Sequence, residues 1–432
     1  MSTQKQSNAL AIVVMILLFG MISFVTNLAA PIGTIWKQAP GIEGSNFWGM
    51  MGNMMNFLAY LFMGLPAGRL ITKFGYKKST LLGVGIGFFG VLIQFLSGKI
   101  GVGATLAGLP ANFFVYLLGA FVCGFSVCLL NTVVNPMLNL LGGGGNKGNQ
   151  LVQIGGTFNS LTGTLTPMLV GALIGTVTAD TQIADVNTVL YIAMGVFLAT
   201  FAVLVFVPFV EPEQSAEKSD VTVKNLLKYK HLVFGVIAIF FYVGVEVGIP
   251  GTLNFYLTDT LGVEGAATTA GFVAGTYWFL MLIGRFASSL ISGKVSSRTQ
   301  LSVTCAAAIA LVIGAIFSTD VAAKMPVFTG SGFAMAEVPL TAVLLVCCGL
   351  CTSVMWGTIF NLSIEGLGKY SALASGMFMT MVVGGGVLPL VQNACINPEV
   401  ASSYMSSYWI IVAALAYMLW FALLGSRVKQ TK

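Results

Sequence analysis

Polar residues are bunched along this chain, and the stretches between the bunches stay apolar for about twenty residues at a time, the length that carries a helix across the ~30 Å hydrocarbon core of a bilayer. Twelve such runs stand out, at residues 9–36, 46–66, 80–96, 112–141, 151–177, 188–207, 232–257, 266–291, 301–317, 340–362, 371–391 and 403–424. The first is too long for the 7–15-residue core of a signal peptide and reads as a membrane helix. One longer polar segment, residues 210–230, rich in Glu, Lys and Ser, falls between the sixth and seventh runs. The pattern predicts an all-α membrane protein of twelve transmembrane helices in two six-helix bundles. The first bundle would take residues 1–209, a cytoplasmic linker 210–230, and the second bundle 231–432.

The two halves also read as one unit written twice. Gly68-Arg69 is matched by Gly284-Arg285, and Asn27 through Pro31 to Thr34 is matched by Glu246 through Pro250 to Thr252. Thr164-Leu165-Thr166-Pro167 is matched by Gly386-Val387-Leu388-Pro389. Parallel six-helix repeats of this kind place a solute site between the halves near the midplane.

Composition agrees: 56% of residues are hydrophobic and 8% charged, against about 25% charged in soluble domains. Seventeen of the twenty Lys and Arg fall in cytoplasmic segments when both termini are placed inside; Lys37, Lys99 and Lys324 fall in outer loops. That asymmetry fixes the orientation. It also assigns the net charge of +6 to topology and not to a nucleic-acid partner. Outer-loop acids, among them Asp185, Asp320 and Glu399, read as solvated. So does the single histidine, His231, beside Lys228 and Lys230, which removes His-based metal and acid–base chemistry. Cys348 and Cys351 form a CxxC inside an apolar run, where small thiols pack between helices. Glycines 142–145 ahead of Asn146 and Lys147 do not make a phosphate loop. No cofactor or metal cluster is indicated, and the protein is read as non-enzymatic and monomeric.

The polar groups inside the runs carry the chemistry. Glu246 is the one carboxylate deep within a predicted span, where an acid costs about 2.5–3.5 kcal/mol and turns toward a bundle interior or water. Pro250 and the neighbouring glycines suggest a bend or break beside it. No intramembrane basic partner is visible, so Glu246 reads as a cation-coupling group. A proton needs one carboxylate; Na⁺ near Glu246 would need further oxygens, from Asn, Thr and carbonyls by Pro250. Proton is slightly favoured. Asn131 and Asn135 share one helix face at i,i+4, as do Asn53 and Asn56 at i,i+3. Asn159 faces with Gln153 and Gly156, and Asn27, Asn254 and Asn361 add amides in the first, seventh and tenth spans. Trp278 and Trp356 offer aromatic faces. Amides and aromatic faces suit a neutral polyol. The competing reading of each is an interhelical hydrogen bond, worth about 0.6 kcal/mol.

Between the second and third runs the chain reads Gly68-Arg69-Leu70-Ile71-Thr72-Lys73-Phe74-Gly75-Tyr76-Lys77-Lys78. This resembles the G-x-L-x-D-R-x-G-R-K loop of the major facilitator superfamily, with Thr72 and Tyr76 departing from it. Leu65-Pro66-Ala67-Gly68, Asn131 to Asn135-Pro136, Thr157-Phe158-Asn159-Ser160, Tyr242-Val243-Gly244, Gly284-Arg285-Phe286, Thr358 to Leu362 and Gly384-Gly385-Gly386 resemble, in order, the fucose/hexose symporter branch of that superfamily. The resemblance implies the major facilitator fold and cation-coupled uptake of a neutral monosaccharide by alternating access in a bacterial inner membrane. It implies a cytoplasmic gate at Gly68, Arg69, Lys73, Gly75 and Arg285, and substrate contacts at Asn27, Asn131, Asn135, Asn159 and Trp356. The fucose-type carboxylates of the first and fourth spans are absent, at Ala30 and Asn131, which leaves coupling to Glu246. A sugar uniporter, an exporter of another small neutral metabolite or drug, and a membrane nutrient sensor stay open beside this reading.

Overall fold

The computed structural model describes residues 2–141, 145–174, 181–206, 223–262, 265–291, 295–328, 332–367 and 371–427. Twelve helices follow the predicted runs. They are α1 (Ala9–Trp36), α2 (Met51–Ile71), α3 (Lys73–Leu96), α4 (Ala111–Leu141), α5 (Gly145–Ile174), α6 (Asn187–Phe206), α7 (Lys230–Thr260), α8 (Ala266–Ile291), α9 (Ser297–Ile316), α10 (Leu340–Ile364), α11 (Gly376–Ala394) and α12 (Ala401–Gly425). Among the described residues, eleven segments are long and apolar enough to cross a membrane. The twelfth, α5, is an unbroken 30-residue helix whose Asn, Ser and Thr content makes it the most polar of the set. Most of the expected linker, residues 207–222, lies outside the described residues; Val223–Leu226 is a short helix.

The repeat mates α1 and α7 differ in continuity. In α1 the helical hydrogen-bond pattern lapses at Leu28, whose backbone keeps helical angles (φ −70°, ψ −30°), whereas α7 runs as helix straight through Pro250; of the bend or break expected there, the break is absent. Between α2 and α3 the backbone turns at Gly75, whose φ of +80° is a left-handed conformation that glycine adopts without strain.

Among the described residues, two connections carry paired strands. β1 (Thr105–Leu106) pairs with β2 (Leu109–Pro110), and β3 (Ala322–Phe328) pairs antiparallel with β4 (Phe333–Pro339). In β3 the alternation of Lys324 and Pro326, exposed, with Met325 and Val327, buried, is the period-two signal of a half-covered strand. Phe333 lies edge-on to Phe272 of α8 at 5.9 Å, which seats the hairpin on the bundle. Because twelve crossings alternate, both hairpins stand at one end of the bundle, called here the hairpin face. The chain between α6 and α7 stands at the other, the linker face.

The first six helices meet the last six chiefly along α5 with α8 and α2 with α11. Both contacts are close because small residues sit at them. A Cβ on Gly271 of α8 would lie 2.7 Å from the Pro167 carbonyl of α5, and one on Gly64 of α2 would lie 2.8 Å from the Thr380 amide.

Candidate functional site

Helices α1, α2, α5, α7 and α8 converge between those two contacts. Asn27 and Pro31 of α1, Asn53 of α2, Pro167 of α5, Pro250 and Asn254 of α7 and Trp278 of α8 line a cavity of about 30 Å³. That is room for about two waters and for no sugar. Asn27 donates to the Ser23 carbonyl at 2.9 Å and to its hydroxyl at 3.2 Å. Asn53 donates across the bundle to the Gly385 carbonyl of α11 at 2.8 Å. Asn254 accepts from Thr258 at 3.3 Å. Trp278 lies against Gly163 of α5, where a Cβ would sit 3.3 Å from the indole.

Glu246 is the residue next to Val247 in the cavity wall, on its linker side. Its Oε1 accepts from the Tyr242 hydroxyl at 2.7 Å and lies 3.5 Å from Nη2 of Arg285. Nη1 of the same guanidinium donates to the Gly156 carbonyl at 2.7 Å and the Ser160 hydroxyl at 2.9 Å, both on α5. So Glu246 does have an intramembrane basic partner, which corrects the sequence reading. Arg285 is set inside α8, six residues before its end at Ile291, with a side chain only 13% exposed. Arg69 and Lys73, by contrast, are exposed at the linker face, and Gly75 forms the turn there. Gly68 lies in the last turns of α2.

The remaining described candidates are off the cavity wall. Asn131 donates to Tyr60 at 2.7 Å, Asn135 to the Asn131 carbonyl at 2.9 Å, and Asn159 to the Phe19 carbonyl at 2.9 Å. Asn56 is buried with no partner for its Oδ1 among the described residues. Trp356 packs edge-on to Tyr242 at 6.1 Å, close to Glu246, and Asn361 is exposed. The side chain of Gln153 lies outside the described residues.

At the hairpin face the structure assembles a group that the sequence reading did not. Lys37 directly follows α1, and its Nζ meets Oδ2 of Asp259, near the end of α7, at 2.6 Å. Tyr404 of α12 donates to the same oxygen, and Asn46 donates to the Tyr404 hydroxyl at 2.8 Å. Lys37, assigned by sequence to an outer loop, is 3% exposed. Burial pushes its ammonium below the ordinary lysine range, and Asp259 opposes that push without cancelling it. The signal was present: Lys37 and Asp259 are 222 residues apart, close to the repeat offset, with opposite charges at equivalent helix ends. His231, also expected in solvent, is 5% exposed and its Nε2 lies 3.0 Å from the Glu365 carbonyl.

The profile of the Major Facilitator Superfamily matches residues 10–389. The chain belongs to that superfamily. It is therefore a multi-pass membrane transporter and not an enzyme. Within the family its relatives include a putative glucose/galactose transporter of Helicobacter pylori, 29% identical over 99% of both chains. A glucose/galactose transporter of Brucella abortus is 26% identical over 98% of this chain and 96% of that one. Among solved structures, the Escherichia coli fucose:proton symporter superposes with a TM-score of 0.68 at 19% identity, covering 98% of this chain and all of the other. A D-xylose-proton symporter gives a TM-score of 0.67 at 14% identity over 98% of both chains. At those identities the structural likeness carries the fold, which is the family's twelve-helix architecture.

Proposed function

We propose that this protein takes up a neutral monosaccharide, a hexose or deoxyhexose, by cation symport through alternating access. The carrying observation is the cavity itself: three amides and an indole from both halves of the chain, with the Glu246 carboxylate behind the wall, one residue before the lining Val247. Neutral hydroxyls call for such donors and acceptors and for no compensating charge. The whole-length likeness to glucose/galactose transporters supports a hexose. A cavity this small admits a sugar only when the halves, 1–209 and 231–432, part at one face or the other, and such parting is alternating access. The linker face is cytoplasmic by the distribution of Lys and Arg, with both termini inside and the membrane a bacterial inner membrane. The protein acts as a monomer. Protonation of Glu246 drives the cycle, in preference to Na⁺ bound there.

One observation favours a second reading. The Arg285 contact supplies the partner that a purely structural Glu246 would have, which would make the protein a sugar uniporter. Proteoliposome uptake of labelled sugars with and without pH and Na⁺ gradients separates the two. The symport reading expects gradient-driven accumulation in wild type, and in Glu246→Gln retained exchange with accumulation lost. Accumulation undiminished in Glu246→Gln would sink the assignment; equilibration without accumulation in wild type would establish the uniporter.

A further inference from the structure

We propose that Arg285 is the positioning residue that passes the charge state of Glu246 to the contact between the two halves of the chain. The inference rests on the reading that Glu246 takes the coupling proton. Its basis is the way one guanidinium is divided. Nη1 makes two short bonds to α5, at 2.7 Å to Gly156 and 2.9 Å to Ser160. Nη2 stands 3.5 Å from Glu246, beyond the ~2.7–2.9 Å of a charge-assisted bond. Arg285 thus belongs to α8, neighbours a carboxylate on α7, and spends its best bonds on the other half of the chain.

The depth of this contact gives it leverage. Arg285 and Gly156 each lie seven residues, about 10 Å along their helices, toward the linker face from Trp278 and Gly163, which meet at the cavity. Loosening the Arg285 bonds therefore frees α5 from α8 on the linker side of the cavity. Among the described residues, the titratable or charged groups facing Glu246 are Tyr242 on its own helix and Arg285 and Tyr277 on α8. Tyr277 is engaged by Thr352 of α10 at 2.8 Å, with Cys348 and Cys351 behind it. Arg285 is the cation in that set.

The competition has a sign. An ionised Glu246 attracts the guanidinium and draws it off Gly156 and Ser160. When one proton from solution bonds to the carboxylate, no other bond breaks, the guanidinium keeps its charge, and α5 holds it alone. Protonation thus favours closure at the linker face, and loss of the proton favours opening there.

The test uses the full-length protein in nanodiscs with spin labels at Lys73 and Lys230, both exposed at the linker face on opposite halves. The wild-type distance lengthens as pH rises, and Glu246→Gln holds it short at every pH. Arg285→Lys keeps the positive charge beside Glu246 but has no fork with which to span two partners. It loses the pH-dependent lengthening, and its sugar accumulation falls by about tenfold or more, the size of one charge-assisted bond. Ser160→Ala, which leaves the Gly156 bond, shows a smaller change in the same direction. An Arg285→Lys protein that lengthens with pH as wild type does, while Glu246→Gln has lost accumulation, overturns the role of Arg285 and leaves Glu246 standing. Accumulation intact in Glu246→Gln overturns the reading underneath.

Discussion

Helix α7 carries two carboxylates, Glu246 and Asp259, thirteen residues and so about 20 Å apart. Each sits in a polar group that ties the two halves of the chain together, one at either end of the cavity. They are built differently. Asp259 makes its cross-half contact itself, through a 2.6 Å bond to buried Lys37, with Tyr404 on the same oxygen. Glu246 makes none. Its neighbour Arg285 does so on its behalf, and the carboxylate stands as a competitor for that arginine. The hairpin-face group is thus a latch whose strength is set by a direct pair of opposite charges. On the proposal above, the linker-side group is a latch whose strength depends on whether Glu246 holds a proton.

The largest effect that would sharpen this contrast comes from removing one charge of the hairpin-face latch. Asp259→Asn strands the Lys37 ammonium in a buried site, a loss of about 3–5 kcal/mol for an interior pair. Spin labels at the exposed Glu43 and Ser402 should report a longer hairpin-face distance that is greatest at low pH and shortens as pH rises and the unpaired Lys37 gives up its proton, opposite in sign to the linker face. The Lys37→Asp/Asp259→Lys exchange should shorten it again. A distance that moved with pH as the linker face does would break the comparison. Tyr404→Phe keeps both charges and removes one hydrogen bond to a carboxylate, worth about 1.5–3 kcal/mol. The same labels should show a partial lengthening, flat with pH. The smallest effect belongs to Asn53→Ala, which deletes a neutral cross-half bond of about 1 kcal/mol. It should raise the KM for sugar severalfold and leave the pH dependence at both faces unchanged, because no charge is involved.

The fold was legible in the sequence because its signals are one-dimensional. Run length gives the crossings, and the short motifs taken in order give the superfamily. What the sequence hid is azimuth, the direction each side chain takes around its helix. Gly284-Arg285 looked like the partner of the loop pair Gly68-Arg69, yet α8 continues to Ile291 and carries Arg285 inward. Asn131 and Asn135 do share a face, as their spacing requires, and that face meets Tyr60 and the helix's own backbone and not the cavity. Asn27, Asn254 and Trp278 do reach the cavity wall, and Asn53 joins them. The Lys37–Asp259 bond escaped notice because each residue stands at a helix end, where a solvated charge is the ordinary outcome.

The three prolines of the cavity wall lie on three helices, at positions 31, 167 and 250. A proline inside a helix withholds the N–H that would serve the carbonyl four residues earlier. Here those carbonyls belong to Asn27, Gly163 and Glu246, one turn toward each helix start. On the proposed reading, a polyol entering between the halves meets at the wall residue Asn27 a main-chain acceptor that is indifferent to which hydroxyl arrives. On the same reading, discrimination between epimers falls to the amides of Asn27, Asn53 and Asn254, which are held by hydrogen bonds to or from Ser23, Gly385 and Thr258. A carrier built this way separates grip from taste: exchanging the amides should change which sugar is preferred long before it abolishes the ability to hold one.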